Sequence, residues 1–184
     1  MKRLLFLTGQ PGVGKTSVLL RVVEALKAKG YDVRGMISRE VREQGTRVGF
    51  EIIDLYTGQK GWLAHIRQPS GPQVAKYRVN LDDLKNIGVN SIVNATKNAD
   101  VIVVDEIGPM ELFSQAFKDA ILQATNSTKP LLGTIHFRAQ NPVINAIRAR
   151  NDVEILEVTN ENRQNLHNVI IAKILNILSE REKE

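Results

Sequence analysis

The sequence predicts an α/β fold, a doubly wound and mainly parallel sheet with helices on both faces. Short apolar runs of strand length alternate with segments of helical periodicity along most of the 184 residues. The run Val101–Val104 is continuously apolar, which is typical of a strand buried on both faces of a parallel sheet. No linker, repeat or low-complexity stretch interrupts the alternation. We therefore expect one domain over residues 1–184.

An antiparallel insertion is predicted on the edge of this sheet. Turn-forming residues at 56–60 separate two β-prone segments, a pattern typical of a hairpin. We place the insertion at about residues 40–66 and expect the Pro- and Gly-containing stretch 67–79 to be an exposed loop. The elements predicted up to this point are a strand from Leu4, a helix over 16–28, and strands over Val33–Ser38, Arg47–Leu55 and Gly61–Ala64.

The later elements are predicted from helix caps and short apolar runs. Asn80 is suited to cap a helix with an acidic first turn, and Gly88 is expected to interrupt that helix before it resumes over 90–97. Ser114 is expected to cap the next helix, which ends near Asn126. The remaining predictions are a strand over Pro130–His136, a helix over Val143–Arg148, a strand over Glu154–Val158 and a long C-terminal helix capped by Asn160.

Composition narrows the functional classes. The chain has no cysteine, which excludes disulfides and cysteine-ligated metals. No apolar run approaches the roughly 18 residues of a membrane span, so we expect a cytoplasmic protein without membrane partners. The formal charge of +5 is scattered along the chain. A nucleic-acid partner stays open but is not favoured, because nucleic-acid readers usually carry a localised basic face.

The segment between the first strand and the first helix carries the clearest chemical signal. Residues 9–16 read Gly-Gln-Pro-Gly-Val-Gly-Lys-Thr, which fits the phosphate-binding pattern G-x-x-x-x-G-K-[ST]. Its glycines let backbone N–H groups turn toward an anion, and the following helix points its positive N-terminal end at the same place. Lys15 is expected to reach the terminal phosphates of a nucleotide, and the Thr16 hydroxyl to hold a magnesium ion.

A second signal lies at the end of the predicted strand Val101–Val104, where Asp105 and Glu106 follow directly. Ligands of such sheets gather at the carboxyl ends of the strands, so Asp105 is expected to bind Mg²⁺ together with Thr16. Many P-loop ATPases keep the carboxylate that polarises the attacking water directly after this aspartate. The sequence therefore predicts hydrolysis, with Lys15 and Glu106 as catalytic residues.

A GTPase pattern is only partly present. Asp105–Gly108 fits D-x-x-G, but the base-reading signature [NT]-K-x-D is missing. Its nearest candidate, residues 96–100, is one residue too long and precedes the Asp105 strand. Guanine specificity is therefore not supported.

Three further residues are candidates for contacts to the nucleotide. His136 ends a predicted strand, where a polar side chain can sense the terminal phosphate. Arg138 lies just beyond and could act as a cis arginine. Arg163 is predicted in the first turn of the last helix, where a cation is poorly placed for the helix dipole and could instead stack on a base.

Four segments of the chain resemble the thermophilic nucleoside-triphosphatase family, which includes the cancer-related nucleoside-triphosphatase. The segments are Gly9–Thr16, Gly49–Leu55, Tyr77–Asn80 and Val104–Leu112, which reads Val-Asp-Glu-Ile-Gly-Pro-Met-Glu-Leu. The resemblance implies a RecA-like P-loop NTPase fold, usually monomeric, that hydrolyses ATP, GTP, CTP and UTP to the diphosphate. Its strand order would put Pro130–His136 between the phosphate-loop strand and the Asp105 strand, with His136 near the γ-phosphate. The nucleotide-binding set predicted from the motifs and this resemblance is Gly9, Gln10, Pro11, Gly12, Val13, Gly14, Lys15, Thr16, Ser17, Val103, Val104, Asp105, Glu106, Ile107, Gly108, Pro109 and Met110.

Two alternative functions stay open. In a small nucleotide or metabolite kinase, the loop 67–79 could close over an acceptor with Arg67, Lys76 and Arg78 as its cations. In a nucleotide-gated binding module, with RNA as one candidate partner, hydrolysis would act only as a timer. Phosphate release in the absence of an acceptor would distinguish a hydrolase from the kinase. Stimulation of that release by added RNA would favour the binding module.

Overall fold

The computed structural model describes residues 1–183, whose strands form one nine-stranded sheet. The strands are β1 Leu4–Thr8, β2 Val33–Glu43, β3 Thr46–Asp54, β4 Lys60–His65, β5 Gln73–Val74, β6 Tyr77–Val79, β7 Val101–Ile107, β8 Leu131–Ile135 and β9 Val153–Glu157. The helices are α1 Lys15–Ala28, α2 Leu81–Asp83, α3 Asn90–Asn98, α4 Gln115–Asn126, α5 Pro142–Arg148 and α6 Leu166–Arg181. A π-helical stretch, Leu84–Val89, joins α2 to α3, and a 3₁₀ turn, Glu111–Phe113, precedes α4.

The order of the strands confirms the predicted α/β class. The sheet runs β5-β6-β4-β3-β2-β7-β8-β1-β9. The pairs from β2 to β9 are parallel, and the pairs from β5 to β2 are antiparallel. Because β8 lies between β1 and β7, the carboxyl ends of these three strands meet at one edge of the sheet.

Two hydrophobic cores lie on opposite faces of the sheet. In β1, Leu4 and Phe6 enter one core, while Leu5 and Leu7 enter the other. In β7, Ile102 and Val104 likewise enter the first core, while Val101 and Val103 enter the second. Side chains of a strand alternate between its faces, so a strand covered on both sides must be apolar at every position. This explains the continuous apolar run of β7.

The prediction of an exposed loop over residues 67–79 was wrong. Two short strands, β5 and β6, form within it, and Tyr77 and Val79 are buried. The Tyr77 hydroxyl accepts a hydrogen bond of 2.8 Å from Nε of Arg47. Ala75, in the turn between the two strands, has a φ of 52°. The usual Asn-Gly or Asp-Gly signal of a two-residue hairpin is absent here, so the turn was not recognised.

The helix after Asn80 is not interrupted at Gly88, as the sequence had suggested. Asn80 accepts a hydrogen bond from the Asp83 amide, as predicted, and the helix then continues through its π-helical stretch. A Cβ on Gly88 would lie 2.5 Å from Cδ1 of Ile52 and 2.7 Å from Sδ of Met36. Glycine is therefore present because the sheet packs closely against the helix, and not because the helix ends.

Asn160 does not cap the C-terminal helix, which begins only at Leu166. The preceding residues form a turn in which the amide of Thr159 donates to Oδ1 of Asn162 and the amide of Asn162 donates to Oγ1 of Thr159. The competing side-chain bonds of this turn delay the helix. By contrast, Ser114 caps α4 as predicted, accepting from the amide of Phe117 at 3.1 Å. No helix within residues 1–183 is long and apolar enough to span a membrane.

Candidate active site

The phosphate-binding segment connects β1 to α1 at the carboxyl edge of the sheet. Gly9 has a φ of 146°, and a Cβ there would lie 2.7 Å from the carbonyl oxygen of Val158. Gly14 caps α1 with a φ of 109°. Both positions require a backbone conformation that residues with a side chain rarely adopt. The loop therefore forms where the sequence predicted it, with the first amides of α1 directed toward its opening.

Lys15 is the first residue of α1, and its side chain lies back across the loop. Its Nζ donates to the carbonyl oxygens of Gly9, at 3.0 Å, and Gln10, at 3.3 Å. Both acceptors are neutral backbone carbonyls, and neither contributes a counter-charge to the ammonium. A phosphate that enters the loop meets the charge of the ammonium together with the positive end of α1.

Asp105 joins three elements of the site. Its Oδ2 accepts a hydrogen bond of 2.8 Å from Oγ1 of Thr16, and its Oδ1 accepts one of 2.6 Å from Oγ1 of Thr134 in β8. The carboxyl group is only 3% exposed, and burial raises its pKa, which the two hydroxyl donors and Lys15 lower in part. The sequence predicted the pairing with Thr16 but missed Thr134, whose approach depends on the order of the strands.

Glu106 lies beside Asp105 in a less enclosed position. Burial, followed by the charge of Asp105, raises the pKa of Glu106 to about 7, against the lowering effect of Lys15. A carboxyl group with such a pKa can exchange a proton near neutral pH, which is what a general base requires.

A third carboxyl group, Glu111, was missed by the sequence analysis. It is 4% exposed, and burial and then the charge of Glu106 raise its pKa well above the ordinary value. A Cβ on Gly108 would lie 2.7 Å from Oε1 of Glu106 and 3.2 Å from Oε2 of Glu111. The two carboxyl groups therefore flank Gly108. The signal that could have revealed Glu111 is a carboxylate placed between two apolar residues, Met110 and Leu112.

His136 follows β8, as predicted, and lies close enough to Lys15 for the lysine's charge to act on its imidazole. Its backbone amide donates to the carbonyl oxygen of Ile107 at 3.1 Å, and its Nδ1 accepts from the amide of Arg138 at 3.3 Å. Burial and then the charge of Lys15 lower the pKa of His136, which favours a neutral imidazole. Arg138 itself is exposed, with its guanidinium 5.8 Å from the ring centre of Phe137.

Arg163 reaches the phosphate-binding loop from the turn that precedes α6, and not from the first turn of that helix. Its Nη1 lies 3.4 Å from the carbonyl oxygen of Val13, and its Cδ is 3.8 Å from the position of a Cβ on Gly14. The side chain therefore lies along one flank of the loop.

Seven other members of the predicted nucleotide-binding set form two groups. Gln10, Pro11, Ser17 and Pro109 are exposed. Val103, Val104 and Ile107 are fully buried in the two cores. These three side chains pack in the cores, and their place in the nucleotide-binding set stays a prediction.

The cations proposed for an acceptor lid are held within the antiparallel part of the sheet. Arg67 forms an ion pair with Glu43 at 2.6 Å, and Arg78 donates to the carbonyl oxygen of Gly71 at 3.1 Å. Nζ of Lys76 lies 5.5 Å from the ring centre of Tyr77. The structure does not bring these cations together with the carboxyl groups of the site.

The oxygen atoms at the carboxyl edge suit a hard divalent cation. Mg²⁺ is usually held by one or two protein oxygens, with water and substrate phosphates supplying the rest. Thr16 and Asp105 present a hydroxyl and a carboxylate 2.8 Å apart beside the phosphate loop, so their chemistry fits this ion. Within residues 1–183, no group of three or more His, Asp or Glu side chains could hold a metal unaided.

A phosphate-binding loop whose threonine meets a buried strand-end aspartate defines a P-loop NTPase. The family model described as NTPase matches residues 4–171, and the chain belongs to this family. The nucleoside-triphosphatase THEP1 of Thermofilum pendens is 43% identical over 174 residues, which are 94% of this chain and 96% of that protein. The corresponding protein of Methanosarcina acetivorans is 44% identical over 169 residues, 91% of this chain and 94% of its own length.

Two solved structures share the fold. The crystal structure of THEP1 from Aquifex aeolicus superposes with a TM-score of 0.81 at 30% identity, covering 93% of this chain and 98% of that one. The solution structure of a human cancer-related nucleoside triphosphatase gives a TM-score of 0.80 at 36% identity, covering 94% and 97%. The RecA-like P-loop fold predicted from the sequence is thereby confirmed, and the chain is a hydrolase of nucleoside triphosphates.

Proposed function

We propose that this protein hydrolyses nucleoside 5′-triphosphates in a Mg²⁺-dependent reaction with little discrimination between bases. The observation that carries the proposal is the 2.8 Å hydrogen bond between Thr16 and Asp105, with Glu106 directly beside it. This bond supports the proposal because it joins the phosphate loop to the strand that carries the candidate base.

The reaction follows from the positions of two side chains. Lys15 leaves its backbone acceptors for the terminal phosphate and stabilises the charge that spreads over its oxygens. Glu106 orients a water molecule and takes its proton. The water oxygen forms a bond to the γ-phosphorus, the bond to the β–γ bridging oxygen breaks, and the nucleoside diphosphate leaves with the electron pair.

Thr16 and Asp105 are the residues that hold the magnesium ion in this proposal. When bound there, the ion would supply positive charge that offsets the negative charge of the phosphates. Thr134 keeps the Asp105 carboxylate in place through its hydrogen bond of 2.6 Å. His136, held neutral by burial and by Lys15, is suited to donate a hydrogen bond to the terminal phosphate.

Broad base tolerance is supported by the kind of side chain that flanks the loop. Arg163 offers a guanidinium plane, which can stack on any base without reading its hydrogen-bonding edge. The absence of the [NT]-K-x-D signature also argues against specificity for guanine. Three expectations remain predictions from the sequence. The protein is expected to be a monomer, to be cytoplasmic, and to have no favoured nucleic-acid partner.

The proposal is tested by phosphate release from ATP, GTP, CTP and UTP, with and without Mg²⁺. We expect comparable rates with all four nucleotides, loss of activity on chelation, and a loss of at least about 100-fold in Lys15→Ala. Lys29→Ala, an exposed lysine just beyond the end of α1, is the matched control and should keep the wild-type rate. Equal rates for wild type and Lys15→Ala would refute the assignment of the loop.

A further inference from the structure

A cavity of about 410 Å³ is lined in part by residues that follow Glu106 along the chain. Three parts of the chain form it: β5, the residues that follow β7, and the loop that follows β8. Its volume falls within the roughly 300–1,000 Å³ of small-molecule sites. None of the roles proposed above uses this cavity.

The cavity lies close to Glu106, because Oε1 of Glu106 is 2.7 Å from the position of a Cβ on Gly108, the neighbour of the lining residue Pro109. Pro109, which lines it, follows Glu106 by three positions, so their Cα atoms are at most about 11 Å apart. Residues that follow β7 and β8 line the cavity, so it lies at the same carboxyl edge of the sheet as Glu106 and the phosphate loop.

The lining indicates an uncharged ligand with a flat ring and hydroxyl groups. Among the described residues, the side chains around the cavity carry no charge. Phe113 is 50% exposed and offers an aromatic face. Gln73 donates to the Ala75 carbonyl and keeps its own carbonyl oxygen to accept, while Asn141 accepts from the Val143 amide and keeps its amide nitrogen to donate. Gln140 is exposed and can do both.

We propose that this cavity binds a nucleoside and that the γ-phosphoryl group passes to a hydroxyl of that nucleoside. The hydroxyl oxygen forms the bond to the γ-phosphorus, the bond to the β–γ bridging oxygen breaks, the nucleoside diphosphate leaves with the electron pair, and Glu106 receives the hydroxyl proton. Water takes the place of the hydroxyl when the cavity is empty. The inference rests on the proposed function, because both reactions use the same nucleotide and the same base.

An uncharged lining suits an uncharged acceptor. A phosphorylated acceptor would instead need cations, such as those proposed for a lid over residues 67–79. Arg67 and Arg78 are engaged with Glu43 and the Gly71 carbonyl, and neither arginine lines the cavity. A nucleoside needs no such cations, because its flat base stacks on an aromatic ring and its hydroxyl groups bond to amides.

The test measures diphosphate and inorganic phosphate together during ATP turnover with adenosine, guanosine, cytidine or uridine. Without nucleoside, one phosphate should appear per diphosphate. With at least one of the nucleosides at saturation, this ratio should fall below one-half, and a phosphorylated nucleoside should account for the difference. Phe113→Ala should raise the half-saturating nucleoside concentration at least tenfold while basal hydrolysis stays within twofold.

Leu122→Ala, at a 59% exposed leucine in a separate groove between α4 and α5, is the matched control and should behave like wild type. A ratio of one with every nucleoside overturns the inference, even if the nucleoside slows turnover by competing for the nucleotide site. Failure of the proposed function gives a different result, since no diphosphate would form even in the absence of nucleoside.

Discussion

Thr134→Val tests how the buried Asp105 carboxylate is held. The side chain of Thr134 is fully buried and donates a 2.6 Å hydrogen bond to Asp105. Valine keeps the volume and removes the hydroxyl, so one oxygen of a buried carboxylate loses its only donor from β8. A hydrogen bond to a charged group contributes about 1.5–3 kcal/mol. If that amount is lost from the transition state, kcat/KM for ATP falls about 10- to 150-fold.

The assay is steady-state ATP hydrolysis alongside thermal unfolding. Thr134→Ser retains the hydroxyl and should keep most of the activity. Thr125→Val serves as the matched control, because Thr125 is equally buried but donates to the backbone of α4, away from the site. Its effect should appear in Tm and not in kcat/KM. Wild-type kcat/KM in Thr134→Val would refute the reasoning.

Three further changes have definite expected outcomes. Glu111→Gln should be more stable than wild type at high pH. Because the pKa of Glu111 is raised in the folded protein, its carboxyl group stabilises the fold while protonated, and this stability is lost as the pH rises through the folded pKa. The Tm of the variant should therefore exceed that of wild type by an amount that grows from pH 5 to pH 9. Gly88→Ala should lower Tm, because overpacking costs about 1–3 kcal/mol and each kcal/mol corresponds to about 2–4 °C at this size. Arg163→Ala should raise KM for ATP, GTP, CTP and UTP alike with little change in kcat; a selective loss with one base would contradict stacking.

The features predicted best from the sequence are those encoded by neighbouring residues. The phosphate loop is a contiguous motif between a strand and a helix, and Asp105 ends an apolar run that only a doubly covered strand requires. Asn80 and Ser114 cap their helices as expected, because a cap involves residues three positions apart. In these cases local chemistry is sufficient.

The features missed depend on contacts between distant parts of the chain. The family resemblance implied that β8 lies between β1 and β7, but not that Thr134 in β8 would donate a hydrogen bond to Asp105. Gly88 appeared to be a helix breaker, but the close approach of Ile52 explains it. The side chain of Tyr77 is likewise buried and bonded to Arg47, a residue 30 positions earlier in the chain. Short-range patterns carry no information on such pairings, because tertiary packing overrides local preference.

The most direct test of the account compares hydrolysis and nucleotide binding in Glu106→Gln. Removal of a general base lowers the rate about 10²- to 10⁴-fold, so single-turnover ATP hydrolysis should fall by at least 100-fold. The Kd for ATP should stay within threefold, because Lys15 and the loop amides are intact. Glu24→Gln, at an exposed position of α1, should match wild type in both measurements. Hydrolysis by Glu106→Gln at the wild-type rate would contradict the central claim.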